Sequence, residues 1–326
     1  MLVVSEAEAL EALDMESCIG LMADTLASLS GGDARLEPRT AMRLGGGNLL
    51  GVMPACIKSK KIAGAKVLTV FPDNYASGRP SHQGQVLVFE TEGGALKAIV
   101  GGETITGVRT AAVSAVATDR LANRDSRILG MIGAGLQARK HVEALLLVRG
   151  IELVNVWDIS HERAAVFADE MSRRHNVRVE ARATAEGAAA GADIICTVTP
   201  SRAPVLLAKY VKMGAHVNAV GACRPDAREL DSDLVKMARF YVDSAESAKN
   251  EAGDYIMPLK EGAIGEGHII CELGDLILGK AEGRRSSLDV TVFKALGLAV
   301  EDLAAADFIV GRLQAGGRVA GAGGMA

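Results

Sequence analysis

The spacing of hydrophobic positions changes twice along the chain, and each regime predicts a different kind of structure. Over residues 1–30 a short apolar start, Leu2-Val-Val4, gives way to helical spacing. Ser5 and Glu8 stand at the spacing of a capping box. Asp14 can cap a second helix, whose apolar positions Ile19, Met22, Leu26 and Leu29 recur every three or four residues until Gly31-Gly32. From about residue 35 to 100 short apolar stretches (Lys66–Phe71, Gln85–Glu90, Leu96–Val100) alternate with the turn formers Pro72-Asp-Asn and Glu92-Gly-Gly. That pattern predicts an antiparallel sheet with tight turns. Thr104–Leu121, rich in alanine and free of Gly and Pro after Gly107, predicts a long helix.

After Asn123-Arg-Asp strands and helices alternate. The pattern predicts strands at Arg127–Ile132, Leu153–Trp157, Val177–Glu180, Asp193–Thr197, His216–Val220 and Phe240–Val242, with helices over 136–148, about 160–175, 184–190 and 205–212 between them. Such alternation implies a doubly wound parallel sheet covered by helices. Thr291–Leu313 reads as helical and is expected to leave this domain and pack back on the first. The fold class is therefore α/β: a Rossmann domain over 121–304, and a second α/β domain formed by 1–120 with 305–326. Ala322-Gly-Gly reads as a frayed end.

Composition narrows the partner. A net charge of −4 and a pI near 5.9 give no basic footprint for nucleic acid or anionic lipid, and aromatic residues at 3% leave little to stack bases on. The five cysteines are isolated, with neither a Cys-x-x-Cys pair nor a histidine spacing that suggests zinc, so free thiols and no metal are expected. The start of the chain turns acidic within six residues and is not read as a signal peptide, and no apolar run reaches the roughly 18 residues that span a bilayer. These observations predict a cytoplasmic enzyme acting on a small molecule.

Gly133-Ala134-Gly135-Leu136-Gln137-Ala138 gives the chemistry its first anchor. It follows a predicted strand and opens a predicted helix, the context that gives a G-x-G-x-x-A sequence its meaning. Gly133 permits the tight turn, Gly135 lets backbone approach a pyrophosphate, and Ala138 allows close helix–strand packing; the helix start then offers N–H groups and its dipole to the phosphates. Asp158, 23 residues beyond Gly135 at the end of the next strand, can accept hydrogen bonds from both ribose hydroxyls and repel a 2′-phosphate, which favours NAD over NADP. Arg163, one helical turn later, could offset that acid, and Asp158 could instead cap the next helix.

Motifs on both sides of this loop resemble those of the ornithine cyclodeaminase/mu-crystallin family. They are Pro38-Arg39-Thr-Ala-Met-Arg43, Lys66-Val-Leu-Thr-Val-Phe-Pro-Asp-Asn74, His82-Gln-Gly84, Thr106-Gly-Val-Arg-Thr-Ala-Ala-Val-Ser114, Gly221-Ala-Cys-Arg-Pro-Asp-Ala-Arg-Glu-Leu-Asp231 and Thr291-Val-Phe-Lys-Ala-Leu-Gly297. The resemblance runs from about residue 2 to 313. It implies a homodimer whose N-terminal domain, completed by the C-terminal helix, makes the interface and part of the substrate site. It further implies that Arg43 and Arg109 bind substrate, that Lys66 and Asp226 are catalytic, and that Thr110, Thr197, Val220 and Gly221 join the glycine loop around the cofactor. Guanidinium forks suit a carboxylate, and a nearby lysine can hold charge or move a proton. Asp226 has a competing role as a helix cap. His82 is read as a structural donor in its loop.

The family resemblance allows several reactions. Cyclodeaminases carry an aspartate where alignment on Pro225 places Cys223 here, and a thiol cannot hold a distal ammonium as that carboxylate does. The expectation is therefore NAD(P)H-dependent reduction of a small α-imino acid to the L-amino acid. Candidate substrates are Δ1-pyrroline-2-carboxylate, Δ1-piperideine-2-carboxylate, the imine of pyruvate and iminosuccinate. Ornithine cyclodeamination, and a non-enzymatic mu-crystallin-like small-molecule binder, stand as the alternatives.

Overall fold

Leu2–Val4 forms β1, and the Ser5–Glu8 capping box then starts α1 (Glu6–Ala12). Asp14 accepts the Ser17 amide at 2.8 Å and starts α2 (Met15–Ser30), whose buried stripe includes Cys18, Met22 and Leu26 and which Gly31 closes. There follow β2 (Ala34–Leu36), β3 (Thr40–Gly45), β4 (Asn48–Ile57), β5 (Ile62–Val70), β6 (His82–Glu90) and β7 (Leu96–Gly101). α3 (Gly102–Leu121) begins where the Glu6 carboxylate accepts the amides of Glu103 and Thr104. The computed structural model describes residues 1–77 and 79–317, so the expectation for Ala322-Gly-Gly lies outside the described residues.

Beyond α3 the chain alternates: β8 (Ile128–Ile132), α4 (Leu136–Val148), β9 (Leu153–Trp157), α5 (His161–His175), β10 (Arg178–Ala181), α6 (Ala185–Ala189), β11 (Ile194–Thr197), β12 (His216–Ala219) and α7 (Ser232–Met237). It continues with β13 (Arg239–Val242), α8 (Ala245–Glu251), α9 (Gly253–Lys260), β14 (Ile269–Glu272), α10 (Leu273–Ile277), β15 (Thr291–Lys294) and α11 (Ala299–Ala315). Two units result, one of Met1–Arg109 with the chain from Gly297, the other of Thr110–Leu296. The division falls inside α3 and just before α11, ahead of the boundaries at 120 and 304 read from the pattern. α3 is one uninterrupted helix, so the sequence carries no break to mark it.

In the first unit the sheet order is β1-β7-β6-β5-β4-β2, with β3 also on β4; β2 to β7 pair antiparallel, and β1 adds in parallel to β7. α11 lies on β4, β5 and β6 and against α2. The second unit is an eight-stranded, wholly parallel sheet of order β10-β9-β8-β11-β12-β15-β13-β14. Its order reverses between β8 and β11, the position at which doubly wound sheets open a crevice for ligands.

Two predicted helices are corrected. The helix over 205–212 is one 3-10 turn at Ala208–Tyr210, because Val205 and Leu206 give their amides to the Glu229 carbonyl and Leu206 bridges Leu230 in parallel. The expected helix from Thr291 starts only at Ala299. Thr291-Val-Phe-Lys294 is instead a strand between β12 and β13, buried along its whole length. A run buried on both faces of a parallel sheet has no alternation to betray it. Gly297, at φ +77°, turns the chain from that strand toward α11. Among the described residues no helix is long and apolar enough to cross a membrane.

Candidate active site

Cross-strand register in the first unit decides which predicted residues share a surface. Directly paired residues lie on the same face of an antiparallel sheet, and so do positions two apart. Lys66 pairs with Met53 and Val86; four residues on, Val70 pairs with Leu49 and His82, and Leu49 pairs with Arg43. Lys66, His82 and Arg43 therefore belong to one face. Lys66 sits at its buried end, while Arg43 and His82 lie at the exposed end, two side-chain rows away. Among the described residues no side chain pairs with Arg43. His82 holds the Ser81 hydroxyl at 3.0 Å through Nδ1, in keeping with a structural role in its loop.

At the buried end Lys66 is 5% exposed. Its Nζ donates to Thr106 Oγ1 at 2.5 Å and to Asp302 Oδ1 at 3.1 Å. Thr106 passes its own proton to the Gly102 carbonyl at 2.6 Å, which turns a lone pair of the hydroxyl toward the lysine. The same Asp302 oxygen accepts Arg109 Nε at 3.1 Å, and Arg109 Nη1 donates to Glu301 Oε2 at 2.8 Å. Glu301 and Asp302 are both fully buried on α11. Thus Lys66 and Arg109 are brought together through one carboxylate. Burial lowers the Lys66 pKa, Asp302 opposes that shift, and Arg109 and Arg39 reinforce it. Burial also pushes the Cys18 thiol, near the Arg109 charge, up to about 12, so it stays protonated.

Asp302, Glu301 and Thr106 had no role in the sequence reading. The signal was nevertheless present: an acidic pair inside Ala299-Val-Glu-Asp-Leu-Ala-Ala-Ala306, a stretch otherwise wholly apolar. Uncompensated carboxylates are not tolerated in such a segment, so two of them there imply two cations opposite.

In the second unit the glycine loop leaves β8 at Gly133, whose φ of +108° favours glycine and where a Cβ would lie 3.0 Å from the Val198 carbonyl. α4 then starts at Leu136 with Gly135 as its cap, no side chain closing the helix end, and open space where a Gly135 Cβ would stand. A cradle of backbone with an open helix N-terminus fits the pyrophosphate of a dinucleotide. Gln137 follows in the first turn, and Ala138 is fully buried beneath it. Asp158 follows β9 directly and receives the Ala134 amide and the Ser160 amide, both at 3.0 Å, with Arg163 Nη2 at 3.7 Å. Ser160, rather than Asp158, caps α5.

Thr197 ends β11 and Val220 follows the neighbouring β12, and the Val220 and Gly221 amides both reach the Thr197 carbonyl, at 2.9 and 3.2 Å. Thr110 is buried on α3. Asp226 is exposed and holds Arg224 through two 3.0 Å hydrogen bonds, which keep its carboxyl below the usual range. The competing cap role is taken by Asp231, which starts α7. Cys223 Sγ lies 3.4 Å from the Val220 carbonyl. Among the described residues no group of three or more His, Cys, Asp or Glu side chains is arranged to hold a metal ion.

These features define a two-unit α/β protein with a dinucleotide-type parallel sheet and, in its other unit, a sheet face bearing a buried lysine held by a carboxylate. The family profile of ornithine cyclodeaminase/mu-crystallin proteins matches residues 1–317. Mouse ketimine reductase mu-crystallin is 42% identical over 260 residues, covering 80% of this chain and 79% of the relative. The structure of Thermococcus litoralis Δ1-pyrroline-2-carboxylate reductase with NADH and L-proline superimposes with a TM-score of 0.95 at 36% identity, covering 97% of this chain and 98% of that one. An archaeal alanine dehydrogenase dimer with bound NAD gives 0.93 at 28% identity, over 98% and 97%. The chain belongs to the ornithine cyclodeaminase/mu-crystallin family.

Proposed function

We propose that this protein is an oxidoreductase that reduces a small α-imino acid to the L-amino acid with NADH. The observation that carries the reading is the buried Lys66 whose ammonium is held by Asp302, on the sheet face that also bears Arg43. Relatives named for ketimine and pyrroline-2-carboxylate reduction support the substrate class.

The Gly133–Gln137 loop, Asp158, Thr110, Thr197, Val220 and Gly221 would hold the dinucleotide. When bound, it supplies the hydride that adds to the imine carbon. Lys66 supplies the matching proton to the imine nitrogen: burial makes it a readier acid than a solvated lysine, while Asp302 keeps the proton on until it is needed. Arg43 and Arg109 receive the substrate carboxylate. Asp226, kept ionised by Arg224, faces developing positive charge rather than donating a proton. The Asp158 carboxylate disfavours a 2′-phosphate and hence NADPH.

A second copy of the chain is proposed to cover the other face of the first unit's sheet. Register places Val3, Ile99, Leu87, Ala65 and Pro54 in one row there, all outside the buried set, with Val3 56% exposed. An apolar stripe of this kind marks an interface. The five cysteines are free thiols, which fits the cytoplasmic placement.

The test is NADH oxidation by purified protein with each of the four candidate imines. Turnover with one or more is expected. If none responds while ornithine alone releases ammonia without net change in NADH, the reductase reading fails in favour of cyclodeamination.

A further inference from the structure

Glu229 lies in the segment that returns to the parallel sheet before α7, fully buried, and takes no part in the chemistry described above. Its carboxylate collects four hydrogen bonds from the ends of two neighbouring strands. Oε2 accepts Thr197 Oγ1 at 2.9 Å and the Gly221 amide at 2.7 Å; Oε1 accepts the Thr199 amide and the Thr199 hydroxyl, each at 2.7 Å. The strand ladder joins β11 to β12 only as far as Thr197 and Ala219. Beyond that point the Val220 and Gly221 amides still reach the Thr197 carbonyl, and this carboxylate adds the link from Gly221 to Thr199.

The carboxylate is itself held firmly. The amides of Glu229 and Leu230 both donate to Asp254 Oδ1, at 2.8 and 2.9 Å, and the Glu229 carbonyl accepts Val205 and Leu206. Lys294, fully buried on β15, stands 3.1 Å from the other Asp254 oxygen. Two of the four donors are backbone amides, one on each oxygen, and these can only be met by an acceptor; burial raises the Glu229 pKa, while the Lys294 charge and the Thr199 hydrogen bonds oppose that shift. Gly221 completes the fit: a Cβ there would lie 2.0 Å from the Thr199 carbonyl oxygen, so only glycine permits the approach.

We infer that Glu229 is a positioning residue for the cofactor, fixing the spacing of the 197–199 and 219–221 loops that would receive the dinucleotide. This rests on the cofactor assignment proposed above. An apolar side chain of similar size would fill the space more cheaply but would leave four donors buried and unpaired. Glutamine keeps the shape and turns one acceptor into a donor, which would push against the Thr199 or the Gly221 amide, whichever it faced. The loops should then separate, and cofactor binding should suffer before substrate binding does.

Binding is read without turnover, by energy transfer to NADH from Trp157, the only tryptophan, whose carbonyl accepts the Gly133 amide at 2.7 Å. Glu229→Gln should weaken NADH binding by about tenfold or more. KM for the imine should change by less than about twofold. Thr199→Val, which removes one of the four donors and keeps the backbone amide, should weaken NADH binding by about threefold and decides the matter if Glu229→Gln does not fold. NADH affinity equal to wild type in a folded Glu229→Gln, or in Thr199→Val where that is the folded variant, overturns the role. So does a parallel loss of NADH affinity, imine affinity and unfolding midpoint. Wild-type protein that shows no transfer to NADH or NADPH refutes the cofactor assignment itself, and this role with it.

Discussion

Replacing Asp302 with asparagine should move the pH dependence of catalysis toward acid. At 3.1 Å the attraction between Asp302 and Lys66 is about 5 kcal/mol for an effective dielectric constant of about 20. That is a ceiling on the support Asp302 gives the lysine proton; the amide oxygen of asparagine and local relaxation return part of it, so a loss of about half is expected and the Lys66 pKa falls further. The other groups facing Lys66 do not compensate. Arg109 and Thr106 from α3, Arg39 from the segment before β3, and His82 from β6 are cationic or neutral, and the remaining carboxylate, Glu301, is engaged by Arg109. If protonated Lys66 delivers the proton, kcat/KM is level below its pKa and declines above it. The variant's decline should therefore begin at lower pH, with a loss near 100-fold on the alkaline side and much less on the acid side. The assay is NADH oxidation with the best imine from about pH 6 to about pH 10. A urea midpoint is needed alongside, because breaking a buried pair costs about 3–5 kcal/mol. An unchanged limb in a folded Asp302→Asn protein refutes the assignment of the proton to Lys66.

Further outcomes are expected. Lys66→Ala should reduce kcat by orders of magnitude at unchanged NADH affinity, and Arg43→Ala should raise the imine KM with a smaller effect on kcat; steady-state kinetics with NADH titration separates them. Asp158→Ser should shift the ratio of kcat/KM values toward NADPH, because Arg163, 3.7 Å from the lost carboxylate, remains to meet a 2′-phosphate; a ratio that does not move assigns Asp158 to loop structure alone. His141 and His216, whose pKa values burial lowers to about 4 and about 3, are neutral in the fold and take up protons on unfolding, so their stability contribution is complete above about pH 6.5 and declines as pH falls toward those values; urea unfolding should lose about 4 kcal/mol between pH 7 and pH 5 from the two together. Leu87→Lys on the open sheet face should shift sedimentation from dimer to monomer, and a wild-type monomer would remove the interface reading.

The residues that organise the first unit show where a sequence can be read and where it cannot. α1, α2 and α4 were legible because their starts carry local signals: the Ser5–Glu8 box, Asp14, and the glycine loop ahead of Leu136. Lys66 and Arg109 were legible only through motifs, since a lone cation on a strand or helix is usually solvated. The acidic pair at 301–302 implied buried cations, but not which ones. Asp302 is 236 residues from Lys66 in the chain, and no local pattern links them. Glu229 was missed for a related reason: its partners at 197, 199 and 221 are backbone and hydroxyl donors that any sequence supplies. β15 was misread because burial on both faces erases the period that distinguishes strand from helix.

The charge arrangement around Lys66 also bears on what holds the substrate. Lys66 and Arg109 carry two positive charges, Glu301 and Asp302 two negative ones, and all four are buried in mutual contact. Such a cluster is internally neutral, so its net charge cannot select a carboxylate. A hydrophobic replacement of the whole set would cost the fold little, which makes stability a poor account of its presence. What the cluster does fix is the position and protonation of one ammonium group, because Asp302 and Thr106 use two of its three protons and leave a third to be directed elsewhere. Carboxylate recognition then depends on cations whose charge is not already spent. Arg43, exposed on the same face and without a side-chain partner among the described residues, meets that condition better than Arg109, whose Nε and Nη1 are engaged by Asp302 and Glu301. The effect of losing Arg43 should therefore appear in substrate binding and the effect of losing Lys66 in the chemical step, whereas loss of Arg109 should disturb both by releasing the carboxylates that hold the lysine.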